Sequence, residues 1–409
     1  MAVGNTDFGA LLTTDKVAWA RDLWRQARNA SFVLKHAGTS STSCIQKITA
    51  LTKSEKGDKA IVTLVPELTG NGVAGDFQLT GKEEQGNAYD FAIPIDQHRM
   101  GMKSAGRMKE QATIVAFRKQ ARDLLGYRFG TVIDKMGFNL LSGLSVNTMP
   151  NGVEPTLIDS NAVGTNLSEL AFGGVAVPPT SLRQFQATAL ASTDTILAGE
   201  GYGAANQVPG PLTYGRIVNL KAEAVSLYIK PVVHSEYGEV YYLWVDPKMM
   251  ANLKLDPDFL QNVRLAMPRS KKNDLFVGTD AVLVDGVIVM SHRYVVNNTG
   301  NAATGGVVSA ATTGADGNAL PGFGDTAASA NKTAGSRCLF LGAQALALSD
   351  LGTPYWDESD VNDYSNQPGI GIGKLYGMAK TQYKGSYDDP TNLQDFGCLT
   401  LDCAYGVGT

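Results

Sequence analysis

Apolar residues recur at steps of three and four from Met108 to Leu140 (Met108, Ala112, Val115, Leu125, Phe129, Val132, Met136, Leu140), with a break at Arg118 and Arg122. This spacing predicts the longest helix of the chain. At 1.5 Å per residue, about 33 residues reach roughly 50 Å, more than the width of a small domain. Gly126, Gly130 and Gly137 lie inside it; each costs roughly 1 kcal/mol relative to alanine, so they mark a bend or a close crossing. A second stripe, Val17, Ala20, Trp24 and Ala27, predicts an amphipathic helix over 13–30 capped by Thr14. Trp19 and Trp24 need a surface to cover them, on the same chain by default and otherwise on a neighbour.

The β-branched and aromatic runs IVTLV (61–65) and YDFAIPI (89–95) predict two strands. The segment between them has five glycines and little apolar periodicity. It reads as a long hairpin or extended loop whose stability must come from surfaces outside it. Residues 144–215, interrupted by Pro178-Pro179 and Pro209-Gly210-Pro211, predict little regular structure. Beyond them, a helix over 217–228, a strand over 241–246, helical stretches over 248–266 and the hairpin AVLV-DG-VIVM over 281–290 predict a compact α+β domain spanning 216–350. Asp285-Gly286 is a type I′ turn sequence. Of the 38 residues from Asn298 to Gly335, 30 are Gly, Ala, Thr, Ser or Asn, which predicts a mobile surface loop rather than core. Strand-like runs at 370–383 and 396–402 follow an acidic turn at 357–366 and are expected to return to the long helix.

Composition changes this picture in one respect. Of 409 residues, 44% are hydrophobic, 18% are charged, and 45 are glycine, with a net charge of −4. Charge well below the roughly 25% of soluble domains implies surface hidden in partners, and abundant glycine implies turns and long loops. Together they describe an oligomer subunit. Charge is also uneven: 19 Lys/Arg face 14 Asp/Glu in residues 1–135, against 16 and 25 in 136–409. Between Arg99 and Lys135, nine cations face only Glu110, Asp123 and Asp134. Such a stripe fits a solvated helix face, a salt-bridging surface for an acidic neighbouring subunit, or a surface that tolerates polyanion. No sequence-reading nucleic-acid motif accompanies it. No apolar run reaches a membrane span's roughly 18 residues, and residues 1–16 lack the basic-then-apolar order of a secretion signal.

The search for chemistry finds no anchor. Cys44, Cys338, Cys398 and Cys403 lack disulfide-framework or zinc-ligand spacing, and His36, His98, His234 and His292 are dispersed, so each histidine reads as surface or structural. G-x-S-x-G is absent. GIGIGK (369–374) fails the spacing of both nucleotide loops and reads instead as a strand packed closely by another backbone. The run Asp357, Glu358, Asp360, Asp363 lacks the order of a calcium loop and reads as a solvated or inter-subunit acidic loop. No enzyme activity, cofactor or metal is expected.

Several short motifs occur in a telling order: Leu79-Thr80-Gly81-x-Glu83-Glu84, Ile95-Asp96-Gln97-x-Arg99, Gly106-x-Met108-x-x-Gln111, Asp134 with Leu141-x-Gly143, Asp363-Tyr364-x-Asn366, Gly377-x-x-Lys380-Thr381 and Asp395-x-Gly397. With the element order above, the chain resembles the Hong Kong 97-like major capsid proteins of tailed bacteriophages, and within them the N-four-like podovirus capsid family. Residues 144–215 and 298–335 match poorly.

The resemblance implies an α+β shell subunit with an N-arm (1–60), an extended loop (61–104), a spine helix with the first part of a peripheral domain (105–215), an axial domain (216–350) carrying loop 298–335, and return strands of the peripheral domain (351–409). It implies hexamers and pentamers in an icosahedral shell around double-stranded DNA that is contacted non-specifically. The expected location is the virion capsid, after synthesis and assembly in the host cytoplasm, with no membrane partner. About 60 residues without a long helical region precede the loop, so a separate scaffolding protein is expected, alongside a portal. Loop 298–335 is either a docking point for a decoration protein or a tolerated insertion. Pairing candidates within or between subunits are Lys82, Glu83, Glu84, Asp96, Gln97, Arg99, Arg118 and Arg122; a DNA-facing basic surface would use Lys103, Arg107, Lys109, Lys119 and Arg128. No residue trio is assignable to the lysine–asparagine cross-link of some relatives, so a non-covalent shell is expected. An encapsulin-like cellular compartment of the same fold is the alternative.

Overall fold

The structure, a computed structural model, describes residues 13–49, 57–64, 72–83, 89–108, 117–147, 149–150, 166–173, 177, 179–188, 194, 196–198, 210–235, 237–266, 281–297, 299, 334–352, 354–359, 366–384 and 393–405. Helix α1 (Thr13–Ala30) leads into the single turn α2 (Phe32–Lys35). The expected long helix is α3 (Phe117–Ser142); residues 109–116 of its predicted span, Lys109 among them, lie outside the described residues. Its glycines decide between bend and crossing. A Cβ on Gly126 would sit 3.2 Å from the Leu23 carbonyl oxygen, on Gly130 2.7 Å from that of Ala27, and on Gly137 3.0 Å from Val33 Cγ2. The three form the row along which α1 and α2 cross α3 in near backbone contact. Trp19 and Trp24 therefore find their cover on the same chain: Trp19 on Trp356 (5.8 Å between ring centroids) and Trp24 on Phe129 (6.0 Å).

One sheet has six strands in the order β1 (Ala37–Gly38), β2 (Ile45–Ile48), β13 (Leu346–Asp350), β15 (Gly369–Lys380) and β14 (Tyr355–Ser359), with β5 (Asp96–Lys103) on the free edge of β15. The 12-residue β15 pairs along one edge with β14 and then β13, and along the other with β5. The larger sheet runs β10 (Ala281–Val284), β11 (Val287–Ser291), β9 (Gly238–Val245), β12 (Gly335–Leu341), β18 (Cys398–Ala404), β6 (Gln184–Ala187), β7 (Ile196–Ala198), with β8 (Val232–His234) also on β9. Two short ribbons, β3 (Lys59–Leu64) with β4 (Tyr89–Pro94) and β16 (Gln382–Lys384) with β17 (Leu393–Asp395), complete the strands.

The larger sheet is buried on both faces, and its period of two sorts side chains between two cores. Tyr242, Trp244, Leu339 and Leu341 join α1, α3 and the six-stranded sheet. Tyr241, Leu243, Val245, Phe340, Leu399 and Leu401 pack on the other side with α4 (Tyr214–Ser226), α5 (Pro247–Leu255) and α6 (Pro257–Ala266). Strands β12, β13 and β18 are buried at every residue, so their polar side chains, Arg337 and Asp402 among them, lie inside the protein.

Three sequence expectations need correction. Residues 144–215 contribute β6 and β7 to the larger sheet, because β6 pairs in parallel with β18, some 200 residues away and invisible to local propensity. Segment 216–350 is not closed on itself: the larger sheet recruits β6 and β18 from outside it, while β13 pairs in the other sheet. The acidic turn begins as strand, since Asp357 and Glu358 lie in β14 opposite Gly371 and Ile370; Asp360 and Asp363 fall outside the described residues. The hairpin at 281–291 forms as expected, with Asp285 (φ 44°) and Gly286 (φ 75°) both left-handed as a type I′ turn requires. Of loop 298–335, residues 298 and 300–333 lie outside the described residues.

Candidate assembly surfaces

The β3–β4 ribbon carries the loop described over 72–83, in which every residue except Val73 is exposed. Phe77 is 75% and Leu79 54% exposed. Turns with left-handed Gly72, Gly75 and Gly81 shape this loop. Glu83 folds back to accept the Gly81 N–H at 2.6 Å, and Lys82 N–H reaches the Leu79 carbonyl at 2.9 Å. Lys82 and Glu83 are exposed at the tip; Glu84 is outside the described residues.

Strand β5 alternates: Gln97, Arg99, Gly101 and Lys103 face out, while His98 is buried. Gln97 Nε2 donates to the Tyr355 hydroxyl at 2.5 Å, and the Tyr355 ring lies where a side chain on Gly373 would project. The expected close backbone therefore occurs four residues later, where a Cβ on Gly377 would sit 2.3 Å from the Pro94 carbonyl oxygen; the glycine at 373 instead makes room for a ring. Asp96 accepts the Ala171 N–H at 2.8 Å and Arg122 donates to Asp123 at 2.9 Å, its guanidinium 5.2 Å above the Trp19 ring. Gln26 donates to the same Asp123 carboxylate at 3.0 Å. Within the subunit these candidates make separate ties: Asp96 holds segment 166–173, and Arg122 with Asp123 clasps α1. Nothing is described of the Arg118 side chain.

The basic stripe divides between two elements. Lys103 ends β5, with Arg107 nearby, where its N–H approaches Asn366 Oδ1 at 3.4 Å. Lys119 and Arg128 stand exposed on α3. Arg293 and Tyr294, brought beside α3 by the turn after β11, had no signal in the sequence. Arg293 donates to the Tyr294 hydroxyl at 3.0 Å and also hydrogen-bonds Tyr127.

Several buried charges are paired inside the subunit. Arg337 makes a two-pronged ion pair with Asp402 (2.8 and 2.9 Å) and donates to the Ser142 carbonyl at 2.9 Å, satisfying an end of α3. Lys380 pairs with Asp395 at 2.9 Å. Asp350 lies between Lys47 (2.7 Å) and Lys374, whose ammonium is 4.0 Å from the Trp24 ring centroid. Burial pushes the Lys374 pKa down against the pull of Asp350. Burial also pushes His36, His98 and His292 down to about 4, helped by Lys35, Arg128 and Arg293 respectively, so all three are neutral at pH 7. They serve as packing rings: His292 stacks on Phe138 at 5.0 Å, and His98 Nδ1 shares a 3.0 Å hydrogen bond with Tyr376. Among the described residues, no cluster of His, Cys, Asp or Glu is placed to hold a metal ion, and no helix is long and apolar enough to cross a membrane.

Among the described residues, what stands outward is an exposed loop and a cationic helix face. A family model described as phage capsid protein matches residues 10–406. The chain is 35% identical to the major capsid protein of Pseudomonas phage KPP25, over 97% of this chain and 96% of that protein. Its fold is similar to the capsid of Ralstonia phage GP4 (TM-score 0.64, 21% identity, 92% of each chain) and to the Cyanophage Pam1 capsid (TM-score 0.63, 17% identity, 100% and 98%). The chain belongs to the phage capsid protein family and serves as a major capsid protein.

Proposed function

We propose that this protein is the repeating subunit of a tailed-phage head built on the Hong Kong 97-like plan in its N-four-like podovirus variant, joining as hexamers and pentamers around double-stranded DNA. The observation that carries it is the loop at 72–83, which exposes Phe77 and Leu79 and has no core of its own. Two large apolar side chains on such a loop gain stability only by burial against another molecule, at about 1.5–3 kcal/mol each. On this plan the loop lies over an adjacent copy, where Lys82, Glu83 and Glu84 pair with charges of that copy. Segments 1–60, 61–104, 105–215, 216–350 and 351–409 would act as N-arm, extended loop, spine with peripheral part, axial part and return strands, though the larger sheet spans several of them. A scaffolding protein and a portal complete assembly in the host cytoplasm. A decoration protein would meet loop 298–335. The similarity to phage heads favours this over an encapsulin-like compartment.

Electron microscopy of native particles, with nuclease-protected nucleic acid measured in the same fractions, tests it. Icosahedral particles holding protected DNA are expected, and detergent with boiling should release monomers of 43.4 kDa. Phe77→Asp with Leu79→Asp should leave the subunit folded and abolish shells. Discrete small oligomers from the native chain, or unchanged shell yield from the variant, would overturn the scheme.

A further inference from the structure

We propose that the outer face of α3, completed by Arg293 and Tyr294, is a phosphate-binding surface that grips the backbone of the enclosed DNA without reading its sequence. This rests on the DNA-enclosing shell proposed above and names the contact. Leu124, Tyr127, Arg128, Thr131 and Lys135 form the outward stripe of α3. Arg293 is held over it, donating to the hydroxyls of Tyr294 and Tyr127. Its guanidinium carbon lies 4.8 Å from the Tyr294 ring centroid, and the Lys135 ammonium 5.7 Å from the same centroid.

Two observations point outward from this arrangement. Among the described residues, Arg128, Lys135 and Arg293 have no carboxylate partner, whereas Lys47, Arg122 and Lys374 do. Burial, and after it the neighbouring charges of Arg128 and Arg293, disfavours the charge on Lys135. Three mutually repelling cations on a tyrosine-braced platform are relieved by an anion from outside the subunit. A guanidinium fork matches phosphate oxygens, and tyrosine hydroxyls are ordinary donors to them. From Arg128 to Lys135 the helix rises about 10 Å, the reach of about three phosphates along one strand.

The purified full chain, titrated with a labelled random-sequence duplex of about 30 base pairs between 50 and 200 mM salt, tests this by anisotropy. Each lost phosphate contact lowers the slope of log affinity against log salt by about 0.9. Arg128→Gln with Arg293→Gln, both exposed and so harmless to folding, should lower it by about 1.8. Over that fourfold salt range, wild-type affinity then falls about 12-fold more than that of the variant. Arg293→Lys should keep the slope, as should Lys254→Gln on α5. An equal drop from Lys254→Gln would mean diffuse attraction and overturn the site. An unchanged slope in the double variant would overturn it too, and failed assembly with that unchanged slope would mark the face as a contact between copies. Absence of wild-type binding at 50 mM salt, with protected DNA present in native particles, sinks this site and leaves the shell standing; native particles without DNA sink both.

Discussion

Replacing Asp134 tests how the N-terminal segment is fastened to the long helix. Its carboxylate is 2% exposed and accepts three hydrogen bonds from the entry to α2: Ser31 Oγ at 2.5 Å, Phe32 N at 2.9 Å and Val33 N at 2.9 Å. The two backbone donors are N–H groups that the turn of α2 cannot satisfy internally. Asp134→Ala strands both, at about 1–3 kcal/mol each, so a loss of about 2–6 kcal/mol is expected, the lower end if water enters the vacated space. Asp134→Asn keeps one acceptor oxygen but turns an NH2 group toward a remaining donor, for a loss of about 1–3 kcal/mol. Ser31→Ala, which removes one donor to Asp134 and also the cap that accepts the Leu34 N–H at 3.2 Å, should cost about 1–2 kcal/mol. Urea unfolding of the unassembled chain, followed by tryptophan fluorescence, gives the totals. Amide exchange at Phe32 and Val33 locates them, because these two protons should exchange much faster in Asp134→Ala while those in the middle of β12 do not. If Asp134→Ala unfolds within about 0.5 kcal/mol of wild type with both amides still protected, the fastening does not carry the energy assigned to it.

Arg337→Met should destabilise the chain by about 3–5 kcal/mol in urea unfolding, because Asp402 is left charged and buried, while Arg337→Met with Asp402→Leu should recover most of that. Gly377→Ala, with its Cβ placed 2.3 Å from the Pro94 oxygen, should greatly reduce folded yield; Gly371→Ala, whose nearest neighbour is 3.9 Å away, should express normally. Buried His98 and half-buried His36 and His292, held at about 4 when folded against about 6.5 unfolded, bind fewer protons in the native state. Their contribution is complete above about pH 6.5 and is lost as pH falls toward 4, at most about 3 kcal/mol for His98. Urea midpoints that hold steady or rise from pH 7 to 4 would contradict their burial as neutral rings.

What could be read in the sequence was local. Steps of three and four predicted α3, and Asp285-Gly286 predicted its turn, because each depends on neighbours a few residues away. The meaning of Gly126, Gly130 and Gly137 stayed open between bend and crossing, since only the helix that crosses them decides it. Strand β6 was missed because its partner lies near the other end of the chain, and its alternating run QFQA is only four residues long. At the surfaces, the exposed loop followed from its composition. The cationic face did not, because Arg293 and Tyr294 reach Lys135 only through the turn after β11.

The placement of charge connects the fold to its use. Buried ion pairs seldom add net stability over apolar packing, but each defines a geometry that is costly to leave. Arg337–Asp402 ties the end of α3 to β12 and β18, Lys380–Asp395 ties β15 to β17, and Lys47–Asp350–Lys374 ties β2, β13 and β15 under Trp24 of α1. These pairs hold both sheets and α1 in one relative arrangement, as a subunit repeated throughout a shell requires. Phe77 and Leu79, exposed on the loop, and Arg128, Lys135 and Arg293 on the helix face, which have no carboxylate partner among the described residues, sit on different elements. On the proposed assignment of the two surfaces, contact with other copies and contact with the contents can therefore be altered independently, and a variant that loses one should keep the other.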